Sequence, residues 1–157
     1  MTNLENLLVC VAEYEMAENE NDRKKAKQTL RKAIADAKSS TKTAEFLVTE
    51  ILADMGAPES LLGYAYVVKA ILLCIEEPDL INHITFRLYP AVAAHFDTIA
   101  SRAERAIRHV IETIWTRGDE EVLYKYFRNT VSPDKGKPTN GEFIAKIANI
   151  VRRQVSV

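Results

Sequence analysis

Apolar residues recur along this chain at three- and four-residue spacing, the signature of helices with one buried face. Leu4, Leu7, Leu8, Val11 and Tyr14 set the first run, and Asn19 to Asp22 breaks it or caps its successor. Ala26, Leu30, Ala33, Ile34 and Ala37 set the second. Ser39-Ser40-Thr41-Lys42-Thr43 reads as a linker, and a helix over Thr43–Met55 ends at Gly56, with Pro58 just beyond. Ser60 opens an apolar helix through Tyr66, Ala70 and Cys74 that stops before Pro78, and a further helix is expected from Leu80 to Phe96. Asp97-Thr98 turns the chain into the segment Thr98–Trp115, which Gly118 ends. Asp119 starts a short helix reaching about Arg128, and Val131–Asn140 is a loop. Thr139-Asn-Gly-Glu142 is a capping box for a last helix through Phe143, Ile144, Ile147, Ile150 and Val151. No stretch of convincing length alternates as a strand would, so the expected fold is all-α. The linker divides it into an N-terminal helical extension, residues 1–40, and a domain over residues 41–157.

The segment Thr98–Trp115 separates most sharply into two faces. Ala103, Ala106, Ile107, Val110, Ile111 and Ile114 form one stripe; Ser101, Glu104, Arg105, Arg108, His109 and Glu112 form the other, with Arg102 at its edge. Thr98 or Ser101 can cap its start. Cations near a helix N-terminus oppose the helix dipole by about 0.3 kcal/mol or more, so Arg102, Arg105 and Arg108 point to an anionic partner. A guanidinium fork reaches O6 and N7 of guanine together, whereas the bland alternative is a core helix with a solvated arginine face. Glu104 has two readings: acceptor from a cytosine amino group, or holder of Arg108 one turn on. The turn before this helix lacks the glycine such turns often carry. Lys135-Gly-Lys137-Pro-Thr139-Asn140 precedes a helix N-terminus, which makes it either a phosphate clamp or an ordinary capped helix after a loop.

Charge changes the picture only when it is divided. The formal net charge is −1, which on its face argues against nucleic acid. Residues 1–79 hold 9 basic and 14 acidic side chains, while residues 80–157 hold 12 and 8. Screening confines electrostatics to roughly 8 Å at physiological salt, so a basic second half can hold DNA locally. The extension is itself divided into an acidic first helix and a basic second one. These can form a charge-complementary hairpin, one long helix pairing with another chain, or a solvated face packed on the body.

Cys10 and Cys74 fall on apolar faces without metal-ligand spacing and read as buried reduced thiols. Trp115 reads as a core anchor. His83, His95 and His109 lack ligand spacing, and no phosphate loop, nucleophile elbow or HExxH occurs; the expectation is no enzyme, no cofactor and no metal. No basic leader and no apolar run of about 18 residues is present, so a cytoplasmic protein without membrane contact is expected.

Ala100-Ser-Arg-Ala-Glu-Arg-Ala-Ile-Arg-His109, Trp115-Thr-Arg-Gly118, Lys137-Pro-Thr-Asn140 and Glu142-Phe-Ile-Ala145 carry a resemblance, to which Gly63-Tyr64, Leu88-Tyr-Pro90 and Phe96 add. Over about residues 43–155 the chain resembles the DNA-binding effector domain family of stage 0 sporulation protein A, the sporulation response regulator. The resemblance implies a six-helix bundle-like domain with a helix-turn-helix that binds double-stranded DNA at short TGTCGAA-like boxes, often in tandem. It also implies transcription regulation, with Glu104, Arg105 and Arg108 approaching bases. Ser101, Arg102, His109, Lys137 and Thr139 would approach the DNA backbone. Two departures stand out. About forty helical residues precede the domain, too few for the family's receiver, so phosphorylation control within this chain is not expected. Asp119-Glu-Glu-Val-Leu-Tyr-Lys-Tyr-Phe-Arg128 differs from the segment by which the family contacts the polymerase sigma subunit. A homodimer on tandem sites, the sigma subunit and a full-length regulator remain as protein partners. The competing hypothesis is an interaction module that pairs with and modulates such a regulator.

Overall fold

The computed structural model describes residues 3–128 and 136–155, and only the backbone at residues 40–42. Among the described residues every regular element is helical. The helices are α1 (Asn3–Met16), α2 (Glu20–Asp54), α3 (Leu62–Glu76), α4 (Tyr89–His95), α5 (Ala100–Arg117), α6 (Glu120–Phe127) and α7 (Asn140–Val155). None is long and apolar enough to cross a membrane. The chain divides into two compact units, Met1–Thr43 and Ala44–Val157, with the boundary inside α2.

In the first unit, Asn19 Oδ1 accepts from the Asp22 amide at 2.8 Å and caps α2, so the break at Asn19–Asp22 is an N-cap. Cys10 and Ala33 are its buried residues, with Leu7, Tyr14, Ala26 and Leu30 half-buried around them. The expected linker Ser39–Thr43 is instead helical. No glycine or proline interrupts it, and Thr43 Oγ1 donates to the Ser39 carbonyl at 3.0 Å, satisfying its hydroxyl within the helix. The two helices expected on either side of it are therefore one.

The second unit is built around α3, which packs against α5 and α7, while α4 packs on α5. Val48, Leu52 and Met55 join Val67, Ile71, Ile107, Ile111, Ile114 and Ile144 in its core. Gly63 sets the spacing of α3 and α5: a Cβ there would lie 2.1 Å from the Ala106 carbonyl oxygen. Trp115 anchors the other end, edge-on to Phe127 at 5.0 Å between ring centroids, and Phe127 stacks on Phe143 at 5.4 Å. Both cysteines are free and buried, and burial pushes the Cys74 thiol up to about 11.

Two other expectations need correction. α3 begins at Leu62, not Ser60, and its N-cap position is Leu61, without a side-chain cap. The helix expected over Leu80–Phe96 is three pieces: a 3-10 turn at Pro78–His83, a π-helical turn at Ile84–Leu88, and α4. His83, at φ −135° and ψ 44°, interrupts the helical backbone, and Pro90, which has no amide hydrogen to donate, sits in the first turn of α4 where the π-helical turn gives way to it.

Candidate nucleic-acid interface

The turn between α4 and α5 is made without glycine. Asp97 adopts φ 51°, the left-handed conformation that ends a helix. The Thr98 amide then donates to Ala93 O at 2.9 Å and the Asp97 amide to Ala94 O at 3.5 Å, the six-to-one and five-to-two pair of a Schellman turn. Aspartate tolerates this region better than most side chains, which explains how the turn forms without the missing glycine. Because Thr98 belongs to the turn, it does not cap α5. The N-cap residue is Ile99, without a side-chain hydrogen bond, and Ser101 lies inside the first turn. The positive end of α5 is thus left unneutralised by its own side chains.

Burial divides α5 as its periodicity predicts. Ala103, Ile107, Val110, Ile111 and Ile114 are buried; Ser101, Arg102, Arg105, Arg108 and His109 are exposed. Arg105 is centred on the exposed face, opposite the buried stripe. Among the described residues neither Arg102 nor Arg105 makes a hydrogen bond or ion pair. Arg108 does: it pairs with Glu104 one turn back, with 58% of its side chain still exposed. Of the two readings of Glu104, the structure contains the one that holds Arg108.

Beside this ridge lies a cleft of about 630 Å³ between α5, the π-helical turn and the start of α7. Glu104, Arg108, Lys137 and Thr139 line it, as do Tyr89, Glu112 and Asn140. Thr139 caps α7, its Oγ1 accepting from the Glu142 amide at 3.2 Å. Lys137 Nζ donates to Glu112 Oε1 at 2.7 Å, and this contact holds the Glu112 carboxyl below its ordinary range. Lys135, the other lysine of the proposed clamp, lies outside the described residues.

Sequence reasoning missed Asn140. Its side-chain amide donates to the Tyr89 hydroxyl at 3.0 Å and to the Glu104 carbonyl at 3.2 Å, tying α7 to both α4 and α5. Burial raises the Tyr89 hydroxyl above its ordinary value, so it stays protonated in the cleft wall. These partners are 51 and 36 residues away in sequence, and nothing local announces them. The cleft thus positions Lys137 and Thr139 beside Glu104 and Arg108, while Ser101, Arg102, Arg105 and His109 stand on the open ridge.

A short helix, a tight turn and a second helix that exposes arginines define the class: a helix-turn-helix DNA-binding domain. The family described as sporulation initiation factor Spo0A C terminal matches residues 48–151, and the chain belongs to that family. It is a family of DNA-binding regulator domains of sporulation, not of enzymes.

Proposed function

We propose that this protein is a cytoplasmic, sequence-specific transcription regulator that reads TGTCGAA-like boxes by placing α5 in the major groove. The effector domain is assigned to residues 41–157 and the helical extension to residues 1–40. Arg105 is the principal base reader. Arg108 and Glu104 act as a pair, Arg108 turning to a guanine while Glu104 accepts from a neighbouring cytosine. Ser101, Arg102, His109, Lys137 and Thr139 contact the backbone.

The observation that carries this reading is the unpartnered guanidinium of Arg105 at the centre of the exposed face of α5. No carboxylate of the described residues has to release it before it meets a base. The uncapped start of α5 adds a fixed positive potential where phosphates would pass. Fluorescence anisotropy against box-bearing and scrambled duplexes, titrated with salt, tests the reading. The box should bind at least about a thousandfold more tightly at physiological salt, and both affinities should fall steeply as salt rises. Equal affinity for the two duplexes would rule out sequence-specific reading.

A further inference from the structure

The start of α7 is tied to the helix pair of the interface by a side chain with no cap to make. Thr139 caps α7 through its own hydroxyl, which leaves the side chain of Asn140, the first helical residue, free for other work. Its amide nitrogen donates to the Tyr89 hydroxyl on α4 and to the Glu104 carbonyl on α5. Gly141 brings the same turn hard against the π-helical segment: a Cβ there would lie 2.5 Å from Ile84 Cδ1. The Tyr89 ring is itself held in the core, 8% exposed. One amide group therefore joins α4, α5 and α7 at a single point.

We infer that Asn140 is a positioning residue for box discrimination, setting the reach of Glu104 and Arg108 relative to the backbone contacts of Lys137 and Thr139. The inference rests on the DNA reading proposed for α5. Asn140 directly follows Thr139, and the carbonyl it bonds belongs to Glu104, one turn before Arg108. Backbone contacts fix where a protein sits on a duplex, and base contacts then read from that position. A bidentate fork tolerates misplacement of only about 0.5 Å, so the distance between the two sets of contacts governs discrimination. Folding depends on the bridge less. The cleft is open, and water takes up the Tyr89 hydroxyl and the Glu104 carbonyl once the amide is removed. What water does not restore is the distance.

Anisotropy on box and scrambled duplexes tests it, with native helicity of each variant checked by circular dichroism. Asn140→Ala should lose about fivefold or more of the preference for the box. Its affinity for scrambled duplex should stay within about twofold of wild type, with an unchanged salt slope, because no charge is removed. Tyr89→Phe should lose about threefold of the preference, and adding it to Asn140→Ala should cost nothing further, since both remove the same tether. If Asn140→Ala does not fold, Tyr89→Phe alone decides. A purely structural role predicts that both duplexes lose affinity together or that neither does, and either result overturns the inference. So does an additive double variant. A wild-type chain without box preference overturns DNA reading by α5 and this inference with it. Wild-type preference that the variants keep overturns the inference alone.

Discussion

The ridge of α5 and the cleft beside it carry cations of the same kind under opposite conditions. On the ridge, Arg102 and Arg105 have no partner among the described residues. In the cleft, Arg108 is held by Glu104 and Lys137 by Glu112. A free guanidinium loses only water and rotamer freedom when it meets a base. A paired one must also give up a carboxylate or bring it along, so some of what it gains on DNA is offset. Equal counts of positive charge therefore do not mean equal contributions. On the reading proposed above, each free cation of the ridge would contribute more to DNA binding than each paired cation of the cleft.

The largest effect that breaks this contrast acts on both regions together. Gly63→Ala should destabilise the protein by about 2–3 kcal/mol in urea unfolding, because its methyl meets the backbone oxygen of Ala106, which cannot move without shifting α5. Next in size is the split between the arginines. Arg105→Ala should cost about 2 kcal/mol of box binding and Arg108→Ala about 1, the difference reflecting the Glu104 pair that Arg108 already has. Asn140→Ala removes two hydrogen bonds from the joint between α4, α5 and α7 and should cost about 1 kcal/mol of stability.

The smallest effect concerns protons. Lys137 holds the Glu112 carboxyl below 4.5, its ordinary value. A carboxyl depressed in the folded state contributes stability that is present above its unfolded value and is lost as pH falls through the folded one. The Lys137 contact should therefore open only in acid. In an NMR titration Lys137→Ala should move the Glu112 midpoint up toward 4.5. An unmoved midpoint would mean that Lys137 and Glu112 do not pair in solution.

Local patterns were enough to find α5 and its two faces, and too little for the structure around it. The two faces of α5 were legible because five buried residues repeat at one helical period with exposed ones between them. The ends of α2 and the capping by Thr139 and Asp119 were legible for a similar reason, since a cap is a local hydrogen bond. The run through Ser39–Thr43 was misread because serine and threonine favour loops only when their hydroxyls lack a helix carbonyl to bond, and Thr43 has one. The break at His83 and the change of helix type before Pro90 were misread because apolar spacing continues across both. The pairing of Lys137 with Glu112, and the bridge at Asn140, join segments far apart in the chain. They become visible only once α7 is packed against α5.

The most direct measurement replaces Arg105 by lysine, which keeps the charge and removes the fork. The affinity of Arg105→Lys for box and for scrambled duplex would be compared at one salt concentration. The scrambled duplex should bind within about twofold of wild type, while preference for the box should fall about tenfold or more. An undiminished preference would contradict base reading by Arg105 and, with it, the role assigned to the exposed face of α5.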